Sequence, residues 1–279
     1  MTYEEQYLNL IRKVLDKGEW VSNKRTGVRC LTLIGESLYY DVENGDVPVL
    51  NTRQSFPVSA VAEIVGYLRK YTNAQQFADI GSSTWFVNAN ETQAWLDNPN
   101  RKGENDLGVV YGAAQVAGET EKVYNNLRNG VDDRGETLSF WRPELFDKGC
   151  LRACMRQHHF SIVGDKLYLN SESRSVDVAC GLNFNSIQCY FLLSVMAKIT
   201  GLNPARVKHD LINVHIYEPH LDGIEELLSR PVNTIKPKFE IQDWVKSLEE
   251  ITCKENHARD YFKLTGYEHQ GKIPFDLIA

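Results

Sequence analysis

The sequence predicts an α+β fold in one domain over residues 1-279, and three features carry that expectation. Runs of apolar residues at a period near 3.6 are intermixed with runs of period two or of unbroken apolar character, in no regular strand-helix alternation. No internal repeat, low-complexity tract or linker divides the 279 residues, a length one hydrophobic core can still serve. The composition, 42% hydrophobic and 24% charged, is that of a globular chain, and no run of eighteen apolar residues occurs.

Taken in order, Thr2 and Glu5 make a capping box, and Tyr7, Leu8, Ile11, Val14 and Leu15 recur at helical spacing until Gly18 offers a stop. Residues 28 to 41, VRCLTLIGESLYYD, alternate about a Gly-Glu pair and predict a hairpin. A second helix is expected over 58 to 70, with Val58, Val61, Ile64, Val65 and Leu68 on its apolar side and Glu63 the odd residue among them. Residues 88 to 107 are rich in Asn, Asp, Gly and Pro and predict a long surface excursion. Strand-like runs flank Gly164-Asp165, the signal of a two-residue hairpin, within 159 to 171. Residues 186 to 200 are apolar nearly all round and end at Gly201, which reads as a buried helix; LINVHIY, 211 to 217, reads as a buried strand. Pro231 and Pro237 interrupt the 230s, and an extended tail follows Tyr267.

A formal net charge of −6 makes phosphate-driven nucleic-acid binding an unlikely role. The N-terminal segment carries acids where a signal peptide needs basic residues, and with no apolar span the expectation is a cytoplasmic protein with no membrane partner. Six cysteines without a CxxC pair read as reduced thiols, most of them inert filler.

Cys154, in LRACMRQHH, has Arg152 and Arg156 on either side, and positive charge favours a nucleophilic thiolate; the alternative is simple packing at a strand end. Neighbouring His158 and His159 point to opposite faces of a strand, so no metal is expected. Arg174 and Ser175 in RSVDV offer a fork and a hydroxyl to a phosphate, or a surface ion pair. Asn185 in GLNFN can donate and accept at once, as a pyrimidine edge requires, or can simply close a turn. Glu63 is either a buried proton shuttle or a solvated face-edge residue. P-loop, GxGxxG and GxSxG patterns do not occur.

In this order and spacing, CMRQHHF, RSVDV, GLNFN and NVHIY closely resemble the folate-dependent thymidylate synthase and pyrimidine hydroxymethylase family. The likeness extends to RTG at 25 to 27, AEIVGYLR at 62 to 69, the Trp85 region, DLGVVYG at 106 to 112, DDRGE at 132 to 136 and GY at 266 to 267. It implies a large twisted mixed β-sheet packed with helices, one sheet face forming a homodimer interface. It implies dUMP as substrate and 5,10-methylenetetrahydrofolate as co-substrate, without a metal. Cys154 matches the nucleophile that adds to C6 of uracil, so that C5 attacks the one-carbon unit. Glu63 and Tyr111 match the groups managing protons at O4 and C5, and Asn185 the amide that reads O4 and N3, where an aspartate would suit cytosine. Arg25, Arg174 and Ser175 match phosphate ligands, and Arg134 the arginine lent across the dimer interface. His215 and Tyr217 match the pair on the 3′-hydroxyl. Trp85, Asp177, Gly181 and the last residues, Leu277, Ile278 and Ala279, match folate-contacting and tail-closing positions.

The chain departs from the family pattern at Met155, Gly135 and Ser173, in the shortened GAAQVAGE stretch, and in the tail PFDLIA. Because the tail and Trp85 govern the last step, a hydroxymethylase giving 5-hydroxymethyl-dUMP and tetrahydrofolate is the alternative expectation. An inactive nucleotide- or RNA-binding regulator is a third.

Overall fold

Two long strands pair along most of their length at the centre of the computed structural model, which describes residues 1–22 and 27–278. They are β2 (Arg29–Asp41) and β7 (Asn203–Tyr217), antiparallel from Cys30↔Tyr217 to Asp41↔Arg206. Around them β1 (Glu19–Ser22), β3 (Thr137–Ser139), β4 (Met155–Val163), β5 (Lys166–Ser173) and β6 (Val176–Asp177) complete a seven-stranded mixed sheet. Its order is β1-β2-β7-β5-β4-β3, with β6 also beside β7; β5 and β6 run parallel to β7 and the other pairs are antiparallel. A two-stranded sheet, β8 (Lys238–Ile241) with β9 (Phe262–Thr265), stands apart.

The hairpin expected over 28 to 41 is instead one continuous strand. The equally extended β7 offers partners on both sides of Gly35, from Cys30 to Ile34 and from Glu36 to Asp41, and that long ladder outweighs the local turn signal. Gly35 keeps its φ of +81° inside the strand, a conformation open to glycine at little cost, without reversing the chain. The hairpin about Gly164-Asp165 does form, joining β4 to β5.

Nine helices occur among the described residues: α1 (Tyr3–Lys17), α2 (Pro57–Leu68), α3 (Ala74–Ile80), α4 (Trp85–Asn90), α5 (Gln93–Leu96), α6 (Glu119–Arg128), α7 (Asn183–Thr200), α8 (Leu221–Ser229) and α9 (Leu248–Thr252). The capping box of α1 is present, Thr2 N–H donating to Glu5 at 2.8 Å and Glu5 N–H to the Thr2 hydroxyl at 3.3 Å. α7 is buried on nearly every side, against β7, β5, α2 and α6, as its apolar circumference predicts. Together with the turn before it, the run Val178–Thr200 is long and apolar enough to cross a membrane by length and composition, yet it is mostly buried inside the fold. The stretch 88 to 107 is less of an excursion than its polarity suggests. Trp95 is 2% exposed, and its Nε1–H donates to the Asp106 carbonyl at 2.6 Å, so α5 is anchored by a buried aromatic, while Trp85 and Ala89 hold α4 on the core.

Strand alternation gives the sheet two unlike faces. Leu38, Tyr40, Leu169, Val207, His209 and Leu211 lie under the helices. Tyr39 and Ile212, on the opposite parity of β2 and β7, are exposed. All six cysteines are free thiols.

Candidate active site

The parallel ladder along β7 opens at one place. Ser173 pairs with Leu211 and Val176 with Val214, in unchanged register, but Arg174 and Ser175 between them leave the ladder. Freed from β7, the Arg174 N–H donates to the Cys154 carbonyl at 2.9 Å. The guanidinium then fastens to the segment leading into β4, Nε to the Ala153 carbonyl and Nη2 to that of Arg152, both at 2.9 Å. The Cys154 N–H donates to the Tyr111 hydroxyl at 3.1 Å. Cys154 is therefore clamped through both of its peptide groups while its side chain stays partly exposed.

The flanking charges read from the sequence turn elsewhere. Arg156 pairs with Glu172 and lies over the Trp141 ring at 5.5 Å, and Arg152 lies over Phe146 at 4.8 Å. The arginine drawn to Cys154 is Arg174, twenty residues on in sequence.

Tyr111 opens a 3-10 turn, Tyr111–Ala114, with φ at +42°. Gly112 makes this possible: a Cβ there would stand 1.7 Å from the Tyr67 carbonyl oxygen, closer than any side chain can approach. That approach stacks Tyr67 flat on Tyr111, centroids 4.3 Å apart and planes 4° from parallel. Trp85 closes the cluster edge-on, 5.8 Å from Tyr111, and its buried Nε1–H has no partner.

One turn earlier than Tyr67 on α2 stands Glu63. Only 8% exposed, it is not the solvated face-edge residue. Burial pushes its carboxyl above the ordinary glutamate range, offset by donors from Thr84, Tyr67, Gln188 and Ser82. Tyr67 Oη–H reaches Oε2 at 2.9 Å and Gln188 Nε2–H at 3.0 Å; Thr84 and Ser82 hydroxyls serve Oε1. Gln188 passes the connection on, its Oε1 accepting from Asn185 Nδ2 at 3.0 Å.

Asp177 ends β6 opposite His215 and caps a π-helical turn, Val178–Leu182, by accepting from the N–H groups of Ala179 at 2.9 Å and Cys180 at 3.3 Å. Gly181 lies in that turn, where a Cβ would meet Asn185 Oδ1 at 3.6 Å. His215 and Tyr217, at the end of β7, sit ring to ring at 5.1 Å, with His215 Nδ1 2.9 Å from Asn213 Oδ1. The tail crosses the π-helical turn: His220 Nε2 donates to the Asp276 carbonyl at 2.9 Å, and Arg53 lies over the Phe275 ring at 5.1 Å. Leu277 beyond it is 52% exposed and Ile278 half-buried. Arg134 stands on an exposed loop with φ at +66° and is not drawn toward Cys154. Arg25 and Ala279 lie outside the described residues.

Two departures from the family pattern have structural uses. Ser173 is wholly buried, its hydroxyl 2.8 Å from His209 Nε2, and His209 Nδ1 is 2.7 Å from the Tyr40 hydroxyl. Met155 is core. His158 and His159 do face opposite sides, His158 buried beside Ser171. Another potential ligand group, Asp177, Cys180 and His220, is gathered from separate elements and has no spacing signature in the sequence.

Sequence reasoning missed Tyr67, Gln188, Ser82 and Thr84. Tyr67 is four residues from Glu63 on one helix, and Gln188 is a polar residue inside an apolar helix three after Asn185; those spacings were the available signals.

Comparison with known proteins agrees with this geometry. A family profile described as thymidylate synthase matches residues 5–279. The thymidylate synthase of Shewanella frigidimarina is 46% identical, covering 99% of this chain and 100% of its own length. That of Pseudoalteromonas translucida is 47% identical over 98% and 100%, and that of Idiomarina loihiensis 46% over 99% and 100%.

Proposed function

The chain belongs to the thymidylate synthase family, and from that premise we propose that it transfers a one-carbon unit from 5,10-methylenetetrahydrofolate to C5 of dUMP, giving dTMP and dihydrofolate. The observation that carries the reading is the connected set Glu63, Gln188 and Asn185 beside the clamped Cys154.

Cys154 Sγ, as thiolate, adds to C6 of the uracil ring, and the displaced electron pair makes C5 the nucleophile. The bond from C5 to the one-carbon unit forms as that carbon's bond to one folate nitrogen breaks; the C5 proton then leaves on the side of Tyr111 as the bond to the second folate nitrogen breaks and releases tetrahydrofolate. The folate supplies the carbon and the hydride that completes the methyl group, and Sγ departs as C5–C6 unsaturation returns. Asn185 reads O4 and N3–H, and Glu63, through its hydroxyl and amide donors, manages the proton at O4. Arg174 and Ser175, where the ladder opens, bind the phosphate together with Arg25. His215 and Tyr217 hold the 3′-hydroxyl. The orphaned Trp85 Nε1–H, Asp177, Gly181 and the tail residues Leu277, Ile278 and Ala279 fit a reduced folate: a buried donor, a carboxylate, and a cover that excludes water.

The whole-length relatives, named as thymidylate synthases at 46% and 47% identity, favour the synthase over the hydroxymethylase. The retained nucleophile with its proton network argues against an inactive binder. A homodimer supplies what one protomer lacks. The uncovered sheet face with Tyr39 and Ile212 suits a second copy, and Arg134, exposed in its own protomer, suits donation to the partner's phosphate site.

The test mixes enzyme, dUMP and methylenetetrahydrofolate, follows dihydrofolate by absorbance and identifies the nucleotide by mass spectrometry. Dihydrofolate with dTMP is the expected result. A hydroxymethylated nucleotide without dihydrofolate would reverse the choice of product, and the absence of both would overturn the enzyme.

A further inference from the structure

Where the tail crosses the π-helical turn, three ligating side chains meet. A carboxylate oxygen of Asp177, Cys180 Sγ and His220 Nδ1 all lie within 4.8 Å of one another. The Asp276 carbonyl can only accept, so His220 Nε2 carries a proton toward it at 2.9 Å. Nδ1 is buried, has no hydrogen-bond partner, and stands 3.9 Å from Asp177 Oδ1. A buried imidazole nitrogen thus faces a carboxylate oxygen with no hydrogen-bond partner of its own, an arrangement that a cation between the two would satisfy. Cys180 Sγ lies beside the Asp177 carboxylate and makes long contacts, 3.9 Å and 3.7 Å, to the Phe275 and Asp276 carbonyls. A peptide carbonyl behind the imidazole is also the arrangement that orients metal-bound histidines.

We propose that Asp177, Cys180 and His220 bind Zn²⁺ or a similar borderline-soft divalent cation, with a fourth position left to water, and that the bound cation fastens the tail to the π-helical turn. A thiolate and an imidazole select such a metal over Mg²⁺ or Ca²⁺. On binding, Cys180 releases its thiol proton to solvent as the sulfur-metal bond forms, and the ligand atoms draw together by about 1 Å to reach zinc distances. No redox change is involved. The same ion takes Asp177 away from the folate, so Zn²⁺ inhibits turnover; this consequence rests on the function proposed above.

The test titrates the full chain with Co²⁺ and reads thiolate-to-cobalt charge-transfer absorption, then measures release of C-terminal residues by a serine carboxypeptidase with and without Zn²⁺. The expected result is one equivalent of Co²⁺ with that absorption, lost in Cys180→Ser and weakened at least tenfold in affinity in His220→Asn, unchanged in Cys253→Ser, and slower tail release with Zn²⁺. Absorption that is absent, or that persists in Cys180→Ser, would overturn the site, as would tail release indifferent to Zn²⁺. Cys180→Ser retains dihydrofolate production, which verifies its fold. Cobalt binding in a chain without turnover would count against the proposed function and leave this site standing.

Discussion

Glu63 and Asn185 are joined by a single side chain, and that link fixes which way the Asn185 amide faces. The Glu63 carboxylate accepts only, so Gln188 must offer it Nε2–H; Gln188 Oε1 is then left to accept, and Asn185 must offer Nδ2–H. Asn185 therefore keeps Oδ1 and its second N–H for a ligand. Those groups match N3–H and O4 of uracil, whereas the reversed amide would match cytosine. With Asn185 reading the base as proposed, a buried carboxylate acts at a distance on substrate choice.

Removing the link should loosen that choice. Gln188→Leu leaves Asn185 free to turn over, and the preference for dUMP over dCMP in binding should fall by roughly tenfold to a hundredfold, the worth of one unmade buried hydrogen bond. Asn185→Asp should go further and reverse the preference. Competition between the two nucleotides, read by calorimetry, checks both; discrimination unchanged in Gln188→Leu would sink the orienting role.

The Glu63 carboxyl is pushed upward by burial and restrained by its donors, so losing a donor moves it higher still. Tyr67→Phe keeps the stacked ring and removes one O–H. The acid limb of kcat/KM should shift toward neutral pH, with turnover at the optimum reduced roughly tenfold. A lowered rate with an unmoved pH profile would mean that Tyr67 acts only through packing.

Gly112→Ala tests the approach that lets Tyr111 reach Cys154. Its Cβ would collide with the Tyr67 backbone, which cannot yield as a flexible side chain could. Stability should fall by about 3 kcal/mol or more, measured by denaturant unfolding, and turnover should fall even in the folded fraction.

Local signals announced the fold's local parts. The α1 capping box, the Gly164-Asp165 turn and the apolar circumference of α7 each act within a few residues, and each formed as expected. The 28 to 41 stretch carries a hairpin signal yet forms the single strand β2, because its partner lies some 180 residues away and no local pattern reports it. The same limit applies at the site. Cys154, Glu63 and Asn185 were visible as residues, but Arg174 rather than Arg152 or Arg156 reaches Cys154 because the ladder along β7 opens there, a tertiary event.

Two buried histidines set the response to acid. Burial lowers His158 to about 3 and His209 to about 4, well below the ordinary 6.5. The unfolded chain therefore binds more protons than the folded one between about pH 6.5 and 4, and stability must drop as pH falls through that window. The slope is about 1.4 kcal/mol per pH unit for each histidine. Unfolding measured at pH 7 and pH 5 should show the loss, and His209→Gln should flatten it; an unchanged slope would remove His209 as a cause.

The proposed sharing of the site between two protomers makes the last prediction. Cys154→Ser should lower turnover by at least about a thousandfold while dUMP still binds, because the phosphate and base contacts remain. Arg134→Glu should also be nearly inactive, since it sets a negative charge against the partner's phosphate site. Mixed and allowed to exchange subunits, the two inactive proteins should regain activity. One site in a mixed dimer then combines Cys154 from one protomer with Arg134 from the other, in about a quarter of all sites for an equal mixture. If Arg134 served only its own protomer, no mixture would recover, because neither chain would carry both residues intact.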